Sequence, residues 1–401
     1  MSENFCPHCM HMLSGQEKNC PFCGGPTEVT AAAHHLPVGT VLRSRNGHTF
    51  LFGKVKGEGG FGLTYIGKEL TSGQLVAIKE YFPVRCQPQR HTDLSVHPLT
   101  QVQEIYDHGK KSFLSEASML RAVDNIPSIV HVLDYFEANH TAYMVMEYLE
   151  GKTLFQMMQS GKCISSDMLI HKAIPLMRDM EKLHAAGVLH RDIAPDNIMW
   201  MPDGTLKLLD FGCARSLEDG RSMTVVLKPG FAPVEQYQTR GQGAYTDIYA
   251  LCATLYYCMT GVIPPAAPER LTAIANNHPD PLVPPSAYHV AMSPEQEQIL
   301  MWGLSLQPTI RPQNMKDMAD RLEKATPVPK PPVTENDGGK KPVTETEIHT
   351  EDFHWTTDKV TTEQEPDGTN PIQSINRRKF LGAAVAAAIV VILVIAVLTL
   401  L

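Results

Sequence analysis

The chain has 401 residues, 43% of them hydrophobic and 19% charged, so it can form a sizeable core in one large domain or two ordinary ones. Its net charge of −8 argues against a nucleic-acid-binding surface, and the sequence has no basic stripe with interleaved aromatic residues. The first residues have no charged segment followed by an apolar run, so we expect no secretory signal there and a reduced, cytoplasmic setting for the cysteines.

Residues 1–25 contain two Cys-x-x-Cys pairs, Cys6 with Cys9 and Cys20 with Cys23. Two residues between cysteines let both sulfurs of a tight turn reach one ion, and two such turns complete a tetrahedron. A unit this short has almost no core, so bound metal would supply its folding energy. The pattern resembles a zinc ribbon and favours structural Zn²⁺ over disulfides or an iron site of the rubredoxin type. Such ribbons are structural or interaction modules, and this one is a candidate surface for a protein partner. A linker, 26–37, follows.

A glycine-rich segment, Gly57-Glu-Gly59-Gly-Phe-Gly62, follows the strand-like residues FLFGKVK. Glycines at these positions let backbone N–H groups approach phosphate oxygens closely. The next residues, LTYIGKEL and QLVAIKEYF, are typical of two strands joined by a turn rather than of a helix. The segment therefore predicts a phosphate-covering hairpin and not a dinucleotide-binding fold. Lys79, in the second strand, is placed for its ammonium to reach nucleotide phosphates.

Two later motifs, HRDIAPDN (190–197) and LKLLDFG (206–212), carry acidic and amide side chains. Asp192, Asn197 and Asp210 supply a base and hard oxygen ligands, which phosphoryl transfer needs for positioning and charge neutralisation. In this order, the motifs of segment 38–325 are similar to those of bacterial protein kinases of the eukaryotic-like serine/threonine type. The resemblance implies an α+β, bilobal fold with a small β-rich lobe and a large, mainly α lobe.

The resemblance also implies which residues bind the nucleotide. Three residues match the loop that covers the ATP phosphates: Gly57, Gly59 and Gly62. Lys79 matches the lysine that holds the α- and β-phosphates, and Glu116, in the helical pattern SFLSEASML, matches its carboxylate partner. Met146, Glu147 and Leu149 match the hinge that contacts adenine, with Met146 as the gatekeeper.

The large lobe matches the family in the same way. Asp192 matches the base that orients the substrate hydroxyl, and Asn197 and Asp210 match the ligands of Mg²⁺ or Mn²⁺. Arg191, just before the base, implies control by activation-loop phosphorylation. The candidate phosphorylation sites are Ser216, Ser222 and Thr224, of which we favour the last two. Three further matches are structural: Glu235, which ends the activation segment, its partner Arg311, and Asp247, which anchors the catalytic loop.

Two departures from the family pattern concern one positive charge. Ala194 stands where the catalytic loop would carry a phosphate-handling lysine, and Asp196 offers no substitute arginine. Lys228, in LKPGFAPVE, stands where a threonine would contact that lysine and the catalytic aspartate. We hypothesise that the Lys228 ammonium reaches the γ-phosphate and Asp192 and so replaces the missing cation. The alternative is that Lys228 points to solvent and the enzyme is slow.

A third departure is the long stretch between Lys79 and Glu116, which is rich in Pro, His and Arg. Such an insertion can pack on the small lobe or bind a partner. A tolerated surface loop is the interpretation that the sequence favours.

The C-terminal part changes composition sharply. Residues 326–379 are rich in Pro, Thr, Glu and Asp, which predicts a disordered juxtamembrane linker whose threonines are candidate sites for phosphothreonine-reading domains. Residues 380–401 carry no charge and, at about 1.5 Å per residue, span a bilayer core of about 30 Å as a transmembrane helix. The preceding Arg377, Arg378 and Lys379 predict that everything upstream is cytoplasmic.

The sequence therefore favours a membrane-anchored protein kinase that transfers the ATP γ-phosphate to Ser or Thr hydroxyls of protein substrates and phosphorylates itself. One alternative is a pseudokinase scaffold that binds nucleotide and partners without catalysis, for which Ala194 is the support. Retention of Lys79, Glu116, Asp192 and the metal ligands argues against it. Small-molecule phosphotransferases of kinase-like fold fit less well, because they lack the full activation segment.

Overall fold

The computed structural model describes residues 4–159, 161, 163–211, 227–238 and 241–325, with the backbone alone of residues 215 and 216. Four predicted features therefore lie outside the described residues: the side chain of Ser216, the phosphorylation candidates Ser222 and Thr224, the linker 326–379 and the apolar segment 380–401. Among the helices that are described, none combines the length and the apolar character needed to cross a membrane.

The small lobe extends to Glu147 and is rich in strands. Its elements are β1 (Val41–Arg43), β2 (Thr49–Gly59), β3 (Gly62–Glu69), β4 (Leu75–Tyr81), β5 (Gln89–Arg90), β6 (Val96–His97), α1 (Gln103–Ala122), β7 (Val132–Ala138) and β8 (Thr141–Glu147). Six of these strands form an antiparallel sheet in the order β1-β2-β3-β4-β8-β7, and β5 pairs with β6 in a separate hairpin. The strands predicted on either side of the glycine-rich segment are confirmed.

The alternation of side chains along β4 positions the predicted lysine. Val76 and Ile78 are fully buried in the core of the lobe. Because successive residues of a strand point to opposite faces, Ala77 and Lys79 face the other way. This face lies beneath the glycine-rich turn, where Lys79 pairs across the sheet with Thr64 of β3.

Helix α1 packs against β7 and β8 and carries the predicted glutamate. Its buried residues include Tyr106, Phe113, Ala117 and Leu120, which recur at helical spacing on one face. Glu116 lies on this face and is buried, whereas Glu104 is in the first turn and exposed. The helix starts well before the predicted SFLSEASML pattern, which forms its C-terminal half.

The insertion before α1 is not the surface loop that the sequence favoured. Arg90 of β5 reaches into the small lobe, where its Nη2 donates to Glu80 Oε2 at 2.6 Å; both side chains are at most 2% exposed. The hydroxyls of Tyr65 and Tyr143 donate to the same carboxylate, each at 2.8 Å. A buried carboxylate needs such partners, so Arg90 makes the insertion part of the folded lobe.

The large lobe is mainly helical. Its elements are β9 (Lys152–Thr153), α2 (Leu154–Met158), α3 (Ser166–Ala185), β10 (Val188–Leu189), β11 (Ile198–Trp200), β12 (Leu206–Leu208), β13 (Arg215–Ser216), α4 (Val234–Tyr237), α5 (Ala244–Thr260), α6 (Ala267–Ala275), α7 (Pro294–Gly303) and α8 (Met315–Lys324). Helix α5 is buried almost all round and contacts α3, α7 and α8. The predicted bilobal architecture is confirmed.

The cysteine-rich head packs directly on the small-lobe sheet. Met10 is 2% exposed and lies against Leu51 of β2 and Ile66 of β3. The Lys54 N–H donates to the carbonyl of Pro7 at 2.9 Å. A Cβ on Gly53 would lie 2.7 Å from the Met10 sulfur, so a glycine is required for this close approach. The first Cys-x-x-Cys turn is therefore part of the lobe surface.

Candidate active site

The glycine-rich segment forms the turn between β2 and β3, where Gly59 is paired with Gly62. A Cβ on Gly62 would lie 2.1 Å from the carbonyl oxygen of Glu80, so this glycine permits the close packing of neighbouring strands. A Cβ on Gly57 would meet nothing within 4 Å. The hairpin is thus tightly packed at its base and open at its tip, as a phosphate-covering loop requires.

Lys79 lies at the bottom of the cleft, where its ammonium contacts the carboxylate of Asp210. Burial acts to raise the pKa of Asp210, but the Lys79 charge outweighs it and holds that pKa below its ordinary value. Glu116 is 7% exposed, and burial raises its pKa well above the ordinary value although the Lys79 charge opposes this. The structure brings these three predicted residues, from β4, α1 and the end of β12, to one place.

The catalytic loop is held by Asp247, near the start of α5. The backbone N–H groups of His190 and Arg191 donate to its two carboxylate oxygens at 2.9 and 2.8 Å, and His184 Nε2 lies 2.8 Å from Oδ2. Arg191 has a positive φ of 64°, a conformation that costs energy outside glycine. The buried Asp247 carboxylate holds the loop in this shape and so fixes the position of the next residue, Asp192.

Asp192 and Asn197 are joined by hydrogen bonds across the loop. Asn197 Nδ2 donates to the Asp192 carbonyl at 2.7 Å and to Asp192 Oδ2 at 2.8 Å. In this orientation the amide oxygen of Asn197, together with the Asp210 carboxylate, offers the hard oxygen donors that Mg²⁺ prefers. The residues present therefore fit a bound Mg²⁺ ion. Burial raises the pKa of Asp192 to about 6, against the effect of the Lys228 charge.

The Lys228 side chain points into the catalytic loop. Its Nζ lies 2.9 Å from both carboxylate oxygens of Asp196 and 3.3 Å from Asp192 Oδ1. Its carbonyl accepts hydrogen bonds from the N–H groups of Phe231 and Ala232, at 3.1 and 3.0 Å, which fix the backbone beneath it. Burial acts to lower the pKa of Lys228, but the two aspartates raise it above its ordinary value, so the ammonium is charged. Ala194, which stands where the family has its catalytic-loop lysine, is 1% exposed.

The end of the activation segment is anchored by a buried ion pair. Arg311 Nη1 and Nη2 donate to the two oxygens of Glu235 at 2.6 and 3.1 Å, and both side chains are almost fully buried. The Thr246 hydroxyl donates to the same carboxylate at 3.0 Å. Gln236 Nε2 donates to the carbonyl of Arg191 at 2.7 Å, which ties this segment to the catalytic loop.

The predicted hinge lies at the end of β8. Met146 is 8% exposed and belongs to the core of the lobe, which is the environment of a residue behind an adenine pocket. The Glu147 carboxylate accepts from the His131 N–H at 2.9 Å and from Lys207 Nζ at 2.5 Å. Its side chain therefore joins the lobes, and the backbone of Glu147 and Leu149 is the part of the hinge that would meet adenine.

A cavity of about 300 Å³ lies between the cysteine-rich head and the hinge. The head contributes Cys9 and His11 to its wall, and the sheet contributes Ile66 and Leu75. The remaining wall is the hinge segment 148–151. The head therefore borders the segment that is expected to hold adenine.

The four predicted cysteines converge with their sulfurs within 4.8 Å of one another. Cys6 and Cys23 sulfurs are 3.6 Å apart, as are those of Cys9 and Cys20, far beyond the length of about 2.05 Å of a disulfide bond. With Zn–S bonds of about 2.3 Å, a tetrahedron places its sulfurs at about this separation. The N–H groups of His8 and Phe22 donate to Cys6 and Cys20 sulfurs, each at 3.4 Å. These residues fit a Zn²⁺ ion.

Sequence reasoning missed two residues of the site. The sequence indicated only that Asp196 is not an arginine. In the structure Asp196 accepts two hydrogen bonds from Lys228 and holds that side chain over the loop. Gln236 follows the recognised Glu235, and its contact with the Arg191 carbonyl depends on a fold that brings distant segments together. The opposite charges of Asp196 and Lys228 were a signal for the contact between them. The sequence offered no signal for the contact between Gln236 and the Arg191 carbonyl.

Comparison with known proteins shows the family to which this chain belongs. Residues 50–324 match the model of the protein kinase domain family. The chain is 30% identical over 290 residues to a probable serine/threonine-protein kinase of Streptomyces coelicolor, covering 70% of this chain and 40% of that protein. It is also 30% identical over 277 residues to the serine/threonine-protein kinase PknB of Mycolicibacterium smegmatis, covering 66% of this chain and 41% of the relative. The chain thus spans about two fifths of the length of these two relatives.

A solved structure, the apo form of PpkA-294, is similar to this chain with a TM-score of 0.61 and 34% sequence identity. The match covers 72% of this chain and 99% of that structure. The matched family model spans most of both lobes, including the glycine-rich turn, the catalytic loop and Arg311. The chain therefore belongs to the protein kinase family, and its kinase domain is of the bacterial serine/threonine type.

Proposed function

We propose that the protein is an active kinase that transfers the γ-phosphate of ATP to serine or threonine hydroxyls of protein substrates. The observation that carries this proposal is the convergence of Lys79, Asp192, Asn197 and Asp210 in the cleft beneath the glycine-rich turn. The positions of Glu116 and Lys228 complete the set of side chains that the family uses for phosphoryl transfer. A pseudokinase would not need to keep all of them together.

The proposed reaction uses this chain's residues for binding, orientation and proton transfer. Lys79 holds the α- and β-phosphates, and a Mg²⁺ ion bound by Asn197 and Asp210 would neutralise phosphate charge. Asp192 accepts the proton of the substrate hydroxyl as the hydroxyl oxygen bonds to the γ-phosphorus and the bond to ADP breaks. Lys228 supplies the positive charge beside the transferring phosphoryl group that Ala194 cannot supply.

We expect the full chain, purified in detergent, to incorporate phosphate from labelled ATP and Mg²⁺, and an Asp192→Asn variant to lose this activity. Mass spectrometry of the wild-type product would locate phosphoserine and phosphothreonine, with Ser222 and Thr224 as the expected activation-loop sites. Bound but untransferred ATP in the wild type would establish the pseudokinase instead. Equal incorporation by Asp192→Asn would trace the phosphate to a contaminating kinase.

The cysteine head is proposed to hold structural Zn²⁺ and to offer a surface for a protein partner. Because its first turn packs on β2 and β3, we expect a zinc chelator to lower the melting temperature of the kinase domain as well as to unfold the head. Cys23→Ser should copy this effect. Cys163→Ser, which replaces an exposed cysteine outside the cluster, should not. A melting temperature unchanged by Cys23→Ser would contradict a structural metal.

We further propose that segment 380–401 anchors the protein in the cell membrane with its kinase domain and head on the cytoplasmic side. The support is the uncharged sequence and the basic residues before it. Autophosphorylated threonines of the linker 326–379 would then recruit phosphothreonine-reading domains. Release of the chain from membranes by carbonate alone, without detergent, would argue against a spanning segment.

A further inference from the structure

The segment between the cysteine head and β1 carries two adjacent histidines that both face the glycine-rich turn. His35 Nε2 lies 2.6 Å from Glu58 Oε1, and His34 Nε2 lies 3.3 Å from Glu58 Oε2. Glu58 stands between Gly57 and Gly59 at the end of β2, next to the turn that covers the cleft. Three side chains of metal-ligand type thus meet where the histidine segment touches the glycine-rich turn. In kinases this turn moves during the catalytic cycle.

Buried groups fix the histidine segment to the small lobe. The His34 carbonyl accepts a hydrogen bond of 2.9 Å from Arg90 Nε, the arginine that is paired with buried Glu80. The next residue but one, Leu36, is 1% exposed, and its N–H donates to the Tyr65 hydroxyl at 3.1 Å. Both imidazoles are therefore presented by an ordered turn, which lowers the entropic cost of collecting ligands around an ion.

The donor set suits a transition metal. Two imidazoles and one carboxylate form a common ligand set for Zn²⁺, and imidazole also suits Ni²⁺ and Cu²⁺. One donor atom from each of His34, His35 and Glu58 lies within 4.8 Å of the other two. Side-chain rotations that shift these atoms by about 1 Å would bring them to bond lengths of about 2.0–2.2 Å around one ion. The Glu58 side chain is 51% exposed, so an ion can enter from solvent.

We propose that His34, His35 and Glu58 form a second metal site, for Zn²⁺ or a similar transition-metal ion, and that its occupation latches the glycine-rich turn to the histidine segment. A kinase must open this turn to exchange nucleotide. An ion that binds Glu58 and both histidines stabilises one position of the turn and so slows nucleotide release. The effect on nucleotide rests on the proposed function, whereas binding of the metal does not.

The binding test uses the full chain in detergent, dialysed so that it retains only the zinc held by the cysteine cluster. We expect added ZnCl₂ to bind as one further equivalent in calorimetry, and MgCl₂ to give no comparable signal. The second equivalent should disappear in Glu58→Gln and in the double variant His34→Ala/His35→Ala, while the cysteine-bound zinc remains. His48→Ala is the matched control, because His48 Nδ1 pairs with one carboxylate, Asp134, at 2.9 Å.

Two results would overturn the metal site: no second equivalent in the wild type, or a second equivalent that survives both sets of variants. The effect of the metal on the glycine-rich turn is measured as the rate at which a fluorescent ATP analogue is released. Zinc should slow this release in the wild type and in His48→Ala but not in Glu58→Gln. Zinc binding with unchanged release would overturn the latch. A chain that binds zinc and nucleotide in this way without phosphorylating any protein would contradict the proposed function alone, so the two failures are distinguishable.

Discussion

Replacing Lys228 with alanine is expected to lower kcat by about 10²–10³-fold and to leave the KM for ATP nearly unchanged. The reason is geometric: the Lys228 ammonium lies 3.3 Å from Asp192, the proposed base, whereas Lys79 and the glycine-rich turn are the groups proposed to bind the phosphates. A cation fixed beside the transferring group stabilises charge that develops in the transition state more than charge present in bound ATP. Steady-state kinetics on a peptide substrate would measure kcat and the KM for ATP separately.

Two further variants separate charge from shape. Lys228→Arg keeps a cation within reach of Asp196 and should retain most of the activity. Adding Ala194→Lys to Lys228→Ala restores a lysine at the usual place in the catalytic loop and should recover part of kcat. Turnover at the wild-type rate in Lys228→Ala would refute the proposed role.

The same substitution should move the pH profile. Asp192 acts as a base only when ionised, so activity falls as pH drops through its pKa, which burial raises to about 6. The Lys228 charge acts to lower that pKa, and its removal must therefore raise it further. In Lys228→Ala the acid limb of kcat/KM should shift to higher pH, while Lys228→Arg should keep the wild-type limb. A purely structural role for Lys228 would not move the limb.

Replacing Arg90 with methionine is expected to lower the free energy of unfolding by about 3–5 kcal/mol. The substitution leaves the Glu80 carboxylate, which is fully buried, with the hydroxyls of Tyr65 and Tyr143 as its remaining described donors. An unpaired charge at such a site is far more costly than the loss of a surface ion pair. Chemical denaturation followed by tryptophan fluorescence would report the change.

The matched control is Arg85→Met, because Arg85 lies in the same insertion and is exposed. It should change stability little, since surface substitutions of this kind have small effects. The double variant Glu80→Gln/Arg90→Met removes both charges and should recover much of the loss. If Arg90→Met is as stable as Arg85→Met, the insertion does not contribute to the small lobe in the way described.

Local patterns predicted much of this architecture. Strand-like residues around Lys79, after a turn, identified β4, and helical spacing around Glu116 identified α1, because a buried helix face imposes its period on the sequence. The cysteine spacing predicted a four-sulfur cluster, and the sulfurs do converge within one coordination sphere. The positions of Asp192, Asn197 and Asp210 followed from motifs whose spacing the chemistry of phosphate transfer constrains.

The contacts that sequence reasoning could not supply are long-range and charged. The pairing of Lys228 with Asp196 depends on how the activation segment returns over the catalytic loop, which no periodicity records. The insertion was misjudged because its decisive residue, Arg90, lies among polar neighbours in the sequence, whereas in the structure it is buried against Glu80. His34 and His35 lie in a segment interpreted as a linker, and their approach to Glu58 requires the folded lobe.

The cavity between the cysteine head and the hinge bears on inhibitor selectivity. Compounds that compete with ATP commonly anchor on hinge backbone, and here a substituent directed outward past Leu149 would meet Cys9 and His11. A kinase without such a head would leave that substituent in solvent. The head therefore gives this enzyme a lined recess beside the hinge, of about 300 Å³, that a kinase without such a head lacks, and contacts in this recess would distinguish the two.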